Sequence, residues 1–136
     1  MKELLLDANV LVRFLVQDEP KQCLAATALF AKAEQQELVL HLDALVVAEA
    51  VYVLNGYYNQ RRSDVVSALL AIVQNAGIQT AERELVIDAL RRFGAINVDF
   101  ADAWLAARSA RLSLPLASFD RDFDKFTDIQ RFEPGD

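Results

Sequence analysis

The chain has few of the residues that build covalent or Cys/His scaffolds. Its 136 residues include one cysteine, Cys23, and one histidine, His41. A single cysteine excludes an internal disulfide framework and fits a reducing compartment, so we expect a cytoplasmic protein. One cysteine and one histidine are too few for a Cys/His zinc site. His41 alternates with Leu40 and Leu42 in a predicted strand, and we interpret it as structural.

Long apolar runs are also missing. No stretch reaches the roughly 18 residues that a membrane span needs. The beginning, Met1–Asp7, has an acid too early and an apolar run too short for a secretory signal. The sequence also contains no P-loop, glycine-rich phosphate cradle or nucleophile elbow. Nucleotide-binding enzymes and serine hydrolases of those types are therefore excluded.

Positive charge is scarce, because 14 Lys and Arg residues face 20 Asp and Glu residues, for a net charge of −6. Acidity spread over a surface would argue against a polyanionic partner, whereas acidity concentrated in a metal site would not. The length fits one domain, which we predict over residues 1–136. The hydrophobic fraction of 54% and charged fraction of 25% are those of a soluble globular protein.

Short apolar segments alternate with helical patterns along the chain. This order predicts an α/β sandwich with a mainly parallel sheet. The predicted strands are 4–6, 37–42, 78–80, 115–118 and 129–132. The predicted helices are one capped by Asn9, then 20–33, 44–54 ended by Asn55-Gly56, 63–75, 82–93 ended at Gly94, and 98–111. Trp104 and the scattered Tyr and Phe residues are interpreted as core.

Glu49 is the acid that stands out most, because every other residue of the segment Ala44–Leu54 is apolar. An ionised carboxylate is costly to bury unless a cation compensates it. Glu49 therefore predicts either a metal ion or an ion pair, for which Arg13, itself flanked by apolar residues, is a candidate.

Two aspartates follow predicted strands. Asp7 comes after Leu4–Leu6 and Asp120 comes after the strand near 115–118, so both belong at the carboxyl edge of the sheet, where ligands collect in α/β folds. Asp7 has the alternative reading of a side chain that caps the next helix. Asn9 is predicted to cap that helix, and to be able to orient a carboxylate or a water.

Further acids accompany these two. The segment Asp99-Phe-Ala-Asp102 looks like a helix start, with Asp99 as N-cap and Asp102 in the first turn beside an apolar face. Asp102 is therefore predicted as a site residue, and Asp99 mainly as a cap. After Asp120, Asp122 is predicted as a supporting acid. Whether Asp99 or Asp122 joins the ligands stays open.

Several carboxylates brought together repel one another, and hard divalent cations such as Mg²⁺ or Mn²⁺ relieve that repulsion. One or two such ions would activate water for attack on a phosphodiester. Four arginines are candidate contacts to substrate phosphates: Arg13, Arg61, Arg62 and Arg121. The alternative for a pair such as Arg61-Arg62 is a solvated helix face.

Four segments carry a resemblance to a known family. They are Leu6–Leu11, Ala48–Leu54, Asp99–Ala103 and Ser118–Phe123. They resemble the four acidic motifs of PIN-domain nucleases, and the length and motif spacing resemble the VapC-type toxins of toxin–antitoxin pairs. The resemblance implies a three-layer α/β/α fold, Mg²⁺- or Mn²⁺-dependent endoribonuclease activity, a homodimer and a small cognate antitoxin.

The resemblance also assigns residues. Asp7, Glu49, Asp102 and Asp120 fall on the acidic, metal-binding positions, Ser118 falls where the family has a hydroxyl residue, and Asn9 supports the first aspartate. Ala8 departs from the Thr or Ser that is common after that aspartate. Two alternatives remain. One is a PIN-like binding module without catalysis, and the other is a phosphatase with Asp7 as nucleophile.

Overall fold

The computed structural model describes residues 2–135, and strands alternate with helices along them. The chain divides into two compact units, an N-terminal unit up to Arg83 and a C-terminal unit from Glu84. The elements are β1 (Lys2–Leu5), α1 (Ala8–Leu15), α2 (Pro20–Glu34), β2 (Leu38–His41), α3 (Ala44–Tyr52), α4 (Arg62–Val73), β3 (Ile78–Gln79), α5 (Arg83–Ala95), α6 (Phe100–Leu112), β4 (Leu116–Ala117) and β5 (Arg131–Phe132). The single domain over 1–136 stays a prediction.

The N-terminal unit is built on a three-stranded parallel sheet in the order β1-β2-β3. In register, Leu5 pairs with His41 and His41 pairs with Gln79. Parallel neighbours need long crossover connections, and helices supply them here. The prediction of an α/β fold with parallel pairing is confirmed. His41 is held by the Glu3 carboxylate, with 2.7 Å between Nε2 and Oε1.

The first helix begins earlier than the sequence predicts. Asp7, and not Asn9, occupies the N-cap position of α1, and its side chain makes no capping hydrogen bond. Both the Asn9 cap and the reading of Asp7 as a side-chain cap are therefore wrong. The reason is that β1 ends at Leu5, which leaves only Leu6 and Asp7 to turn the chain into the helix. By contrast, α2 begins at Pro20 as predicted.

The third helix does not end at Asn55-Gly56. Instead, a π-helical segment, Val53–Tyr57, continues from α3 through both residues. The Tyr58 amide donates to the Val53 carbonyl oxygen at 3.0 Å, which is the i→i+5 bond of a π turn. A Cβ added at Gly56 would meet nothing within 4 Å. Glycine is therefore not required there by crowding, and it does not stop the helix.

The C-terminal unit pairs β4 with β5 in parallel. Helix α5 runs through Gly94 to Ala95, so the predicted stop at Gly94 is wrong, because a single glycine weakens a helix without ending it. Arg92 ties α5 to the segment before β5, with 2.8 Å from Nη1 to an Asp128 carboxylate oxygen. Among residues 2–135, no helix is long and apolar enough to cross a membrane.

Candidate active site

Asp7 and Asp43 occupy equivalent places at the carboxyl edge of the N-terminal sheet. Each lies two residues beyond a strand, and the last residues of those strands, Leu5 and His41, are paired. Each takes the N-cap position of the next helix with an extended backbone, at φ −88° and ψ 150° for Asp7 and φ −80° and ψ 149° for Asp43. Neither side chain caps its helix. The strand ends thus fix both backbones and leave both carboxylates uncommitted.

Glu49 lies on α3 and is exposed, although its neighbours in sequence are apolar. The same helix buries Val47, Ala50 and Val51 and exposes Leu45 and Tyr52 at 79% and 78%. The expectation of a buried charge is therefore wrong. Helix α3 carries more apolar residues than its buried face can hold, so an apolar sequence around an acid does not mean an apolar environment.

Glu49 lines a pocket of about 500 Å³ formed within the N-terminal unit. We call it the tyrosine pocket, because three tyrosines line it. Its principal side chains are Asn9, Arg13, Asp18, Glu49, Tyr52, Tyr57 and Tyr58. Asp7 lines a second pocket of about 480 Å³, which shares Asn9 and Arg13 with the first. The two predicted ligands of this unit thus open onto neighbouring pockets along α1.

Arg13 does not pair with Glu49 in the described residues. Its Nε donates to Gln22 at 2.9 Å, and its Nη1 donates to the Tyr58 hydroxyl at 3.2 Å and to Asp18 at 3.4 Å. The Tyr58 hydroxyl in turn donates to Asp18 at 2.7 Å. The hydrogen bond with Tyr58 is the main cause that raises the pKa of Arg13. The alternative of a Glu49–Arg13 ion pair is wrong, since Arg13 is engaged by other partners.

In the C-terminal unit, Asp99 is the N-cap of α6, as predicted, and Asp102 lies three residues on in the first turn. Partial burial raises the pKa of Asp102, and the charges of Asp99, Asp120 and Asp122 raise it further. A hydrogen bond from the Asp99 backbone opposes that rise. The carboxylates of this unit are therefore close enough to disfavour one another's charge, which is the electrostatic condition that a cation relieves.

Asp120 is held by a turn that follows β4. Its backbone amide donates to Ser118 Oγ at 2.9 Å, and its Oδ1 accepts from the Asp122 amide at 2.9 Å. Asp122 pairs with Lys125 at 3.3 Å, which already offsets its charge. Asp120 makes no ion pair among the described residues. The Asp120 carboxylate is thus the better candidate of the two to bind a cation. Ser118 holds the backbone of Asp120 and not its carboxylate.

The predicted phosphate contacts lie in differing surroundings. Arg61 is 83% exposed and pairs with Asp64 at 3.2 Å. Arg62 begins α4, and Arg121 lies exposed in the 3₁₀ turn Arg121–Lys125. Arg13 is the one of the four that is tied to the tyrosine pocket. Their contact with RNA stays a prediction.

Sequence reasoning missed the tyrosines. The sequence predicts them as core, but Tyr52 and Tyr57 are 78% and 76% exposed. The signal available in the sequence was the spacing of Tyr52 three residues after Glu49, which places both on one helix face. Tyr57 and Tyr58 could not be found in this way, because their place depends on the π turn.

The acids offer oxygen ligands only. Within either unit, residues 2–135 hold no group of three or more His, Cys, Asp or Glu side chains arranged to bind a metal ion. The sequence profile of the PIN domain family matches residues 4–129, a range that includes all four predicted ligands. Among curated proteins, no sequence match is found.

Proposed function

The chain belongs to the PIN domain family, and on that premise we propose that it is a metal-dependent endoribonuclease. PIN domains are typically nucleases that use divalent metal ions and act on nucleic acid. The chain has the α/β fold of the family. The observation that carries the proposal is the match over residues 4–129, because it spans Asp7, Glu49, Asp102 and Asp120 together.

The residues fit a hard divalent cation. All four side chains are carboxylates, and Mg²⁺ and Mn²⁺ prefer oxygen ligands. None of the four makes an ion pair within the described residues. Burial raises the pKa of Asp102, and the negative charges of Asp99, Asp120 and Asp122, which a cation would offset, raise it further. We propose that these four acids hold one or two ions, which when bound would activate water and stabilise the leaving alkoxide.

The remaining residues position these acids. The Ser118 hydroxyl accepts a hydrogen bond from the Asp120 amide and so stabilises the turn that carries the Asp120 carboxylate. Asp99 is the N-cap of α6 and so sets the start of the helix whose first turn carries Asp102. Asn9 lies between the pockets that Asp7 and Glu49 line, where its amide can bind a carboxylate or a water. Asp99 and Asp122 act as supporting acids.

We extend the proposal to a VapC-type toxin of a toxin–antitoxin pair. The support is the length of 136 residues and the order and spacing of the four acidic segments. In this proposal the protein acts in the cytoplasm as a homodimer and is inhibited by a small antitoxin that places a basic side chain among the acids. Acids that lack ion pairs are suited to such a side chain.

The test is cleavage of total cellular RNA in the presence of Mg²⁺ or Mn²⁺ and in the presence of a chelator. Asp7→Asn and Glu49→Gln should each reduce cleavage by at least about 100-fold, because a metal ligand matters more than the groups behind it, which are worth 10- to 100-fold. Asp43→Asn is the matched control, since Asp43 has the strand-end setting of Asp7 and lies outside the proposed ligands. It should cleave as wild type does.

Two results would overturn the proposal. One is a folded wild-type protein that shows no metal-dependent cleavage. The other is cleavage that persists unchanged in both Asp7→Asn and Glu49→Gln. The toxin part has a separate test. Expression of the wild type should arrest growth, expression of Asp7→Asn should not, and equal growth with both would contradict it.

A further inference from the structure

The tyrosine pocket combines a predicted metal ligand with aromatic surface that the described residues leave exposed. Tyr52 and Tyr57 are more than three-quarters exposed, and both line the pocket that Glu49 lines. Exposed aromatic rings beside a polar pocket serve as stacking platforms for nucleobases, because every base has a π face. These tyrosines have no role in the proposed metal chemistry.

The π turn is what gathers these rings. In an α-helix, residues five apart are about 140° apart around the axis, so a regular continuation of α3 would point Tyr57 away from Tyr52. A π turn closes i→i+5 bonds and brings such residues closer to one face. Tyr52 comes just before the π segment and Tyr57 ends it. π turns are frequent at functional sites, and this one puts Tyr57 on the wall of the Glu49 pocket.

Hydrogen bonds and a ring contact of Tyr58 support the Tyr57 ring. The Tyr58 hydroxyl donates to Asp18 at 2.7 Å and accepts from Arg13 at 3.2 Å. Tyr58 packs edge to face with Tyr57, with ring centroids 4.9 Å apart and an angle of 83° between the rings. The contact with Tyr58 restricts the Tyr57 ring before any ligand arrives, which lowers the entropy lost on binding.

The chemistry of the pocket favours a base over a phosphate. Beside the metal ion proposed at Glu49, the wall of the pocket carries the acid Asp18, which would repel a second phosphate. The guanidinium of Arg13 is engaged by Gln22, Asp18 and Tyr58. Asn9 adds an amide that can hydrogen-bond with the edge of a base. A neutral, flat ring with polar edges fits this lining.

We propose that Tyr52 and Tyr57 stack an unpaired nucleobase of the RNA substrate next to Glu49. The inference rests on the proposed function, because Glu49 is taken there as a metal ligand. A base within a duplex is stacked on its neighbours and could enter this pocket only after it leaves them.

The experiment measures binding apart from cleavage. The probe is a short single-stranded 2′-O-methyl oligonucleotide with a fluorescent label, whose modified sugars resist hydrolysis, and the readout is anisotropy in Mg²⁺. Tyr52→Ala and Tyr57→Ala should each weaken binding by about tenfold, the expected loss for one stacked base. Tyr52→Phe and Tyr57→Phe keep the ring and should bind within about twofold of wild type.

The matched control is Leu45→Ala. Leu45 is 79% exposed on the same helix as Tyr52 but does not line the tyrosine pocket, so its truncation should leave binding unchanged. An oligonucleotide with one abasic position supplies the second arm. At the position that stacks, removal of the base should weaken binding by wild type and have no further effect in Tyr52→Ala or Tyr57→Ala.

The outcomes separate this inference from the proposed function. If both Ala variants bind the probe as wild type does, the stacking site is wrong even where cleavage and its dependence on Glu49 hold. If the Ala variants change the oligomeric state and not the affinity for the probe, the surface is a protein interface and the inference is overturned. If the Ala variants bind the probe more weakly but wild type cleaves no RNA, the stacking site is supported and the proposed nuclease activity is wrong.

Discussion

The two units position their acids in different ways. In the N-terminal unit, Asp7 sits between β1 and α1 and Glu49 sits on α3, so regular elements carry both, and both are exposed. In the C-terminal unit, Asp120 follows the two-residue strand β4, and Asp102 is partly buried near three other acids. The first pair depends on the sheet and its helices. In the second pair, Asp102 depends on α6, while Asp120 depends on local hydrogen bonds.

The irregular segment of the C-terminal unit is fastened by a basic residue. Arg131 is 11% exposed, and its Nη1 donates to the Ser118 carbonyl oxygen and to Glu133, both at 3.0 Å, while its Nε donates to Asp124 at 3.0 Å. These bonds surround the turn that presents Asp120. A short strand holds little by itself, so side chains must supply the rigidity that the helices supply in the N-terminal unit.

The largest expected effect is stabilisation by metal. Its measurement tests whether the acids of the N-terminal unit and those of the C-terminal unit both contribute to metal binding. At 100 times the dissociation constant, Mn²⁺ or Mg²⁺ should raise the free energy of unfolding by about 2.7 kcal/mol, seen as a higher melting temperature. Glu49→Gln and Asp102→Asn should each reduce this gain. If Glu49→Gln keeps the full gain, the ion is held by the C-terminal acids alone and the proposed ligand set is wrong.

The second effect tests whether the position of Asp120 depends on the hydrogen bonds of Arg131. Arg131→Met should lower the melting temperature, because the Ser118 carbonyl oxygen, Asp124 and Glu133 lose this donor. It should also reduce cleavage, because the turn of Asp120 loosens. Glu3→Gln is the comparison in the N-terminal unit, because it disturbs the contact of Glu3 with His41 and touches no proposed ligand or RNA contact. It should leave cleavage closer to wild type, since regular elements carry Asp7 and Glu49. Equal losses of cleavage would remove the distinction between the units.

The sequence predicted what depends on short-range patterns. Parallel strands joined by helices, the beginning of α2 at Pro20, and Asp99 as the cap of α6 follow from hydrophobic periodicity and capping preferences. Asp7, Asp102 and Asp120 could be named for the same reason, because strand ends and helix starts are visible in the sequence. Glu49 was named from its apolar neighbours instead. Their roles as ligands stay predictions.

The rest depends on tertiary structure. Nothing local distinguishes Asp7 from Asn9 as the N-cap, because both are good caps, and the end of β1 decides. The π turn runs through Asn55-Gly56, a pair that usually ends a helix, so the positions of Tyr57 and Tyr58 were invisible. The exposure of Glu49 depends on which face of α3 the unit covers, and an almost wholly apolar helix gives no periodicity from which to infer it.

A smaller effect concerns Ser118, whose hydroxyl accepts a hydrogen bond from the Asp120 amide. Ser118→Ala should cost about 1 kcal/mol of unfolding free energy, the net value of one hydrogen bond, and should weaken cleavage through the altered turn. Ser118→Thr keeps the hydroxyl and should restore both, as measured by chemical denaturation and RNA cleavage. Failure of the Thr variant to restore cleavage would show that the hydroxyl is not what positions Asp120.

The smallest effect uses pH in the metal-free protein. The pKa of Asp102 is raised by burial and then by Asp99, Asp120 and Asp122, so the folded state binds this proton more tightly than the unfolded chain does. Raising the pH above the ordinary value of 3.8 and through the raised pKa therefore costs stability. Asp102→Asn should melt about 2 °C higher than wild type at neutral pH. The gain is small because solvent screens the carboxylate. It should vanish at a pH below the ordinary pKa, where Asp102 is protonated in both states.

Asp128 provides the control of opposite sign in the same unit. The hydrogen bond from Arg92 lowers the pKa of Asp128, so its contribution to stability is present above the ordinary value and is lost as the pH falls through the lowered pKa. Asp128→Asn should therefore melt lower than wild type at neutral pH, and the two melting curves should converge in acid. If Asp102→Asn also melts lower at neutral pH, the acids of the C-terminal unit do not repel one another, and the contrast with the N-terminal unit fails.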